Sequence, residues 1–273
     1  MTLLSPWHIV ANLWRHRDLI WQFTLREIHL RHRGSRLGVA WALVNPLSML
    51  ALYYFVFGVI YDNKFGVLHG ETNYDFAIAL FLGLSLFHVL SETLGWAPIL
   101  IASNPNFVKK VVFPLEILPV AKIGDAAFHL AVALTLVVVG SAFGTAGLSW
   151  QMLWLPVIVL PLLLLALGLA WVLAAVGVFL RDITQVMPFI TTAILFASAI
   201  FYSTLRIQLH PVAWHFLRLN PLLQIVDLAR FVLLWHEPMK WTHLGYVYAC
   251  ALLALVAGNA CFALLRRSFA EVI

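Results

Sequence analysis

The chain has 273 residues, 63% hydrophobic and 11% charged, with a formal net charge of +5, and its mean hydropathy is +0.93. Values this far from the soluble globular range exclude a water-soluble domain as the main body of the protein. A membrane-crossing helix needs about 20 predominantly apolar residues, so the chain has room for several such helices and little else. The reading is one all-α polytopic membrane protein.

Residues 1–35 read as a cytoplasmic segment. Within it Asp18, Gln22, Arg26, His29 and Arg33 recur at helical spacing and leave Trp21, Leu25 and Ile28 on another face, which predicts an amphipathic helix over about 15–33 lying in the membrane surface. No short apolar core with a small-residue cleavage site precedes it, so no cleavable signal peptide is expected. Gly34, Ser35 and Gly38 then loosen a corner. Beside it Arg31, Arg33 and Arg36 set anion-binding groups at headgroup level next to the start of the first span; singly, each also serves as a topology anchor on anionic headgroups.

Residues 36–273 read as a six-span transmembrane domain, with spans at 37–61, 76–101, 117–143, 153–180, 183–204 and 243–265. Orientation follows from Lys and Arg, which are retained on the cytoplasmic side. Arg15, Arg17, Arg26, Arg31, Arg33 and Arg36, then Lys109 and Lys110, Arg181, and Arg266 with Arg267 fall on one side. The opposite side holds Lys64 and a long fifth loop with Arg206, Arg218, Arg230 and Lys240. Both termini are therefore expected in the cytoplasm. Cys250 and Cys261 lie in one span about 16 Å apart by helical rise, too far for a disulfide.

The second cytoplasmic loop, "SNPNFVKKVVFPLEILP", has Asn104 as a helix cap, Pro105 at the first position and Pro114 as a breaker. A brief helix over about 104–114 carrying Lys109 and Lys110 is predicted, either a handle for a soluble partner or a basic loop obeying the charge rule. Ionised groups inside spans are costly and face protein or water. Lys122 and Asp125 stand one turn apart and are expected to pair with each other. Glu92 has no partner nearby in sequence and is expected either to meet a base on another span in a helix-to-helix contact or to line a wet cavity. His88 and His129 lack a second ligand at metal-site spacing and read as packed or hydrogen-bonded.

Four segments, "RGSRLGVAWALVNPL", "FHVLSETLGWAPILIASNPNFVKKVVFPLEILP", "VFLRDITQVMPFI" and "LNPLLQIVDLAR", come in an order that resembles the membrane subunit of bacterial polysaccharide-exporting ABC-2 transporters. The likeness is strongest to O-antigen exporters, with capsule and teichoic-acid exporters as relatives, and covers nearly the whole chain. It implies a permease subunit, not an enzyme, in the bacterial inner membrane. It also implies that this chain pairs with a copy of itself and with two copies of a soluble ATP-binding subunit, and moves undecaprenyl-pyrophosphate-linked polysaccharide. No cofactor is expected in this chain, ATP and Mg being bound by the partner; the absence of a G-x-x-x-x-G-K-[ST] loop agrees. No nucleic acid is expected as a partner.

By position, the resemblance places an interface helix at roughly 15–33 and an ATPase-coupling helix on the segment from Asn104 and Pro105 through Lys109 and Lys110. Arg181 and Asp182 match a charged pair at the cytoplasmic end of the fourth span. Short reentrant-type extracytoplasmic gate helices fall at about 207–235, with Asn220, Pro221, Asp227 and Arg230. A sugar polymer stacks on flat apolar rings and bonds through its hydroxyls. Two stripes suit that as channel lining: Tyr54, Phe57 and Tyr61 in span one, which also sits where an aromatic belt belongs, and Gln185, Phe189, Thr192 and Phe196 in span five. On residues alone two other classes stay open. A membrane enzyme on lipid-linked glycans would gather its acids and histidines at one depth, whereas here they look scattered. A proton-coupled transporter would want internal repeats, and none is seen.

Overall fold

The computed structural model describes residues 6–61, 64–67, 70–109, 113–145, 147–236 and 238–272. They form helices and connections, with no strand among the described residues. In chain order the helices are α1 Pro6–Arg15, α2 Arg17–Arg31, α3 Trp41–Tyr53, α4 Asn73–Trp96, α5 Pro105–Lys109, α6 Ile117–Ser141, α7 Leu155–Phe179, α8 Ile183–Ala197, α9 Thr204–Gln208, α10 Pro211–Leu217, α11 Pro221–Arg230, α12 Trp241–Leu265 and α13 Phe269–Val272.

Among the described residues five helical runs are long and apolar enough to cross a membrane: Gly38–Ile60, Asn73–Ile99, Ile117–Ser141, Trp150–Phe179 and Trp241–Val272. The first contains α3, with Pro46 inside it, and widens into a π-helix at Tyr54–Ile60. The expected span at 183–204 is different. Its helix, α8, has 15 residues and stops at Ala197, short of the about 20 that a crossing needs. Ala199 takes a left-handed backbone, φ 53°. The Asn220 amide donates to the Ala197 carbonyl at 3.1 Å, and Arg230 donates to those of Ala199 and Ile200 at 2.7 Å each. Side chains from α11 thus satisfy carbonyls that a continuing helix would have used.

Local chemistry sets the other boundaries. The Thr72 hydroxyl accepts from the Asp75 amide at 3.3 Å while the Asp75 carboxylate accepts from the Thr72 amide at 2.9 Å, a capping box that starts α4. The same carboxylate accepts from the Thr145 amide at 2.9 Å and the Thr145 hydroxyl at 2.8 Å, which ties the start of α4 to the end of α6. At that end Trp154 meets Trp241 edge to face at 5.2 Å. At the other end lie α2, α5 and α13, where Phe179 meets Phe269 at 6.1 Å. Helix α7 runs through the centre against α12. Gly168 and Gly258 face one another there, and a Cβ on either would overlap the opposite backbone. Hydrocarbon gives no solvophobic drive between helices, so this close backbone approach is what holds the pair.

Candidate functional site

The richest polar chemistry lies where α2 meets α4 and α6. Thr24 and Ile28 are buried, and Thr24 rests in the hollow of Gly124, where a Cβ would come within 2.6 Å of its hydroxyl. Glu27 pairs with Lys122 at 2.6 Å. One turn on, Arg31 reaches both Glu92 and Asp125, the latter at 3.3 Å. Burial pulls the Arg31 guanidinium down, but the two carboxylates more than offset this and hold it above the ordinary arginine value. Next to it buried His32 faces His129, Nε2 to Nε2 at 3.3 Å, while His129 Nδ1 lies 2.9 Å from the Asp125 carbonyl. Burial, then His129 and Arg31, push His32 below the usual histidine range. His88 contacts Glu92 at 3.0 Å across one turn of α4.

Several expectations are corrected here. Lys122 and Asp125 do not pair with each other; each takes a partner from α2 instead, because α2 lies across the first turns of α6. Glu92 meets Arg31 of α2 and has His88 as a local partner one turn away, where none was expected. The face that α2 buries is Thr24 and Ile28, and Trp21 is 63% exposed. The acids and histidines that look scattered in sequence meet in one cluster with Arg31. Arg33 and Arg36 are exposed, with no ion partner among the described residues.

Helix α5 sits beside α2. Phe23 of α2 meets Phe107 of α5 at 5.8 Å and Phe113 at 5.2 Å, and Phe107 meets Phe113 at 4.7 Å. Pro105 opens α5, but the Asn104 amide turns back to the Leu100 carbonyl at 2.8 Å instead of capping with its oxygen. Lys109 is exposed at the end of α5, and Lys110 lies outside the described residues. Glu116, which the sequence did not single out, gathers Asn12 at 2.9 Å and Arg266 at 3.2 Å, fastening α1 and the end of α12 to the start of α6. Arg181 and Asp182 are both exposed in the turn between α7 and α8.

Of the two aromatic stripes, that on α8 is open. Met187, Ile190 and Ile194 pack against Leu94, Ala97 and Leu173. The opposite face presents Gln185 and Thr192 with Phe189 and Phe196, which are 75% and 59% exposed. The other stripe divides: Phe57 packs on Phe76 and Phe201 at 6.3 Å each, Tyr54 lies edge-on to Tyr74 at 6.2 Å, and Tyr61 is exposed.

In α11 Asn220 caps Leu222 at 3.0 Å ahead of Pro221. Arg230 is 1% exposed. Its guanidinium also donates to the Ala79 carbonyl of α4 at 3.2 Å and lies 4.4 Å over the Phe65 ring. Asp227, one turn away, accepts from the Thr204 hydroxyl at 3.0 Å. The two charges thus bind different parts of the chain and form no direct ion pair.

The family model described as ABC-2 type transporter matches residues 18–234. The O-antigen export system permease protein RfbA of Myxococcus xanthus is 27% identical over 266 residues, 97% of this chain and 99% of that protein. The protein of the same name from Klebsiella pneumoniae is 22% identical over 94% of this chain and 95% of its own. The polysialic acid transport protein KpsM of Escherichia coli is 24% identical over 87% of this chain and 90% of its own.

Proposed function

Because the chain belongs to the ABC-2 type transporter family, we propose that it is the channel subunit of an ATP-driven exporter carrying lipid-linked polysaccharide from the cytoplasm across the inner membrane. The glycan is of O-antigen type, on an undecaprenyl pyrophosphate carrier. The carrying observation is that relatives named for O-antigen export and for polysialic acid transport align along 87% to 97% of this chain. A homodimer with both termini in the cytoplasm engages two soluble ATP-binding subunits, which bind ATP and Mg. Helix α5, with Lys109 and Lys110, seats in the ATPase, beside Arg181 and Asp182. Helix α8 completes a sixth span with the segment after it, and its exposed stripe of Gln185, Phe189, Thr192 and Phe196 supports a lining role. Helices α9 to α11 form the reentrant extracytoplasmic gate, held by Asn220, Pro221, Asp227 and Arg230. Arg33 and Arg36 meet the lipid pyrophosphate, while Arg31 positions α2.

Deleting the gene tests the proposal: lipid-linked glycan accumulates inside the cell and surface polymer is lost. Surface polymer of normal amount and length in that strain, with no second exporter present, refutes it. The polysialic acid relative supports a second reading, capsule export; loss of capsule with O-antigen retained would select it.

A further inference from the structure

A cleft of about 580 Å³ runs between α3 on one side and α4 and α6 on the other. It starts beside Arg31, His32 and Glu92, and rises past Trp41, Asn45, Ser85 and His88 to Tyr53 and Phe81. The climb from Trp41 to Tyr53 is about 18 Å by helical rise, a little over half the roughly 30 Å hydrocarbon core. Most of its wall is apolar, including Met49, Leu130 and Ala133.

Its polar groups do not fit a passive gap. Among the described residues the Asn45 amide and the Tyr53 hydroxyl make no hydrogen bond, although both line the cleft at membrane depth. His88 spends one nitrogen on Glu92 and is 60% exposed at its side chain. Hydrocarbon cannot satisfy such groups. The turn joining α2 to α3, between His32 and Trp41 of the lining, carries Arg33 and Arg36, which are not themselves lining residues but are exposed and free of ion partners among the described residues. Arg31, by contrast, is paired with Glu92 and Asp125, whose charges offset its pull on an anion. Free cations at the mouth, hydrogen-bonding groups on the wall and an apolar trough describe a ligand with an anionic head and a hydrocarbon tail.

We propose that this cleft is the docking site for the carrier lipid, a single-chain polyprenyl phosphate. Its phosphate lies between Arg33, Arg36 and His88, and its chain lies along α3 past Asn45 and Met49. The inference rests on the reading of lipid-linked export above and adds the place where the carrier waits. Walls from α3, α4 and α6 line the trough, and the competition with a two-chain glycerophospholipid in the experiment below decides between the two lipid classes.

The test uses the purified full chain in nanodiscs of phosphatidylethanolamine and phosphatidylglycerol, with p-benzoylphenylalanine in place of Met49 and tritiated undecaprenyl phosphate as probe. The expected result is a saturable photoadduct, displaced by unlabelled undecaprenyl phosphate and not by added phosphatidylglycerol. Asn45→Leu with His88→Leu lowers the adduct about tenfold, the scale of one or two lost hydrogen bonds, and Ser85→Trp, which fills the trough, abolishes it. Thermal unfolding of Asn45→Leu alone stays at the parent value, because that group has no partner within the chain, and its adduct still falls. No saturable adduct, equal displacement by phosphatidylglycerol, or adduct only to a second copy of the chain overturns the proposal. Export of surface polymer is measured separately. Polymer exported without this binding refutes the cleft alone, and binding without export refutes the transport reading.

Discussion

Arg31 illustrates how one side chain decides the placement of an element. Its guanidinium spans Glu92 on α4 and Asp125 on α6, which a single ammonium cannot do with the same fork. Removing it leaves two carboxylates facing each other in a partly buried site. Breaking a buried pair costs about 3–5 kcal/mol, and partial exposure reduces that here. Arg31→Ala is therefore expected to weaken α2 docking by about 2 kcal/mol, read as a rise of roughly thirtyfold in amide exchange across residues 17–31. Arg31→Lys is expected to fall between the two; an unchanged exchange rate in Arg31→Ala would show that α2 is held by packing alone. The same holds more strongly for Arg230, whose carbonyl partners Ala79, Ala199 and Ile200 tie α11 to α4 and to the segment after α8. Arg230→Met strands the buried Ala199 and Ile200 acceptors, each costing about 1–3 kcal/mol, while the Ala79 carbonyl keeps its place in the α4 ladder; it is expected to lower the unfolding temperature by several degrees, whereas Arg218→Met, at an exposed position, is not. Charged positions were legible in the sequence but their partners were not. Lys122 and Asp125 look self-sufficient at one turn's spacing, and only the path of α2 across α6 shows that each pairs outward.

At the scale of elements, hydropathy located the long helices because length and apolar composition are local properties. Helix α8 shows where that stops. Nothing within 183–204 marks a break at Ala197, since the groups that end the helix are Asn220 and Arg230, more than twenty residues on. The buried face of α2 was legible only in part: Ile28 is buried as its spacing indicates, but Thr24 fits against a glycine while Trp21 stays out. Helices α2 and α5 share the Phe23, Phe107 and Phe113 cluster, so a displacement of α5, if it is the coupling helix, is expected to be felt at α2 and, through its ion pairs, at α4 and α6. Phe107→Ala removes that joint. A truncated partly buried Phe costs about 3 kcal/mol at most, so the chain still folds, and export is expected to drop while the ATPase subunit still copurifies. Lys109→Glu, at the exposed end of α5, is expected to weaken copurification itself. If both variants behave alike, α5 is a docking handle and not a lever.

The whole molecule leaves its first span almost uncovered and turns an aromatic and polar stripe of α8 outward. The Thr192 hydroxyl is satisfied by the Pro188 carbonyl at 2.9 Å, but a chain on its own would place the exposed Gln185 amide against lipid, which is costly unless water or protein meets it. A two-fold pairing of copies solves this by making the same patch face itself, and it can leave an axial opening between the paired faces. In such a pair the stripe would lie near the axis in both subunits, and α12, packed on α7 through Gly168 and Gly258, would stay at the periphery. With Cys250 and Cys261 replaced by Ser, Thr192→Cys is expected to join two copies through a short bifunctional thiol reagent, and Leu253→Cys on the exposed outer side of α12 is not. Thr192→Trp tests the same face by function. Two indoles across the axis would narrow the opening, so polymer export is expected to stop while the dimer and its ATPase subunits still copurify. Linkage at 253 with none at 192 would place the opposite side of the molecule at the axis and remove α8 from the path.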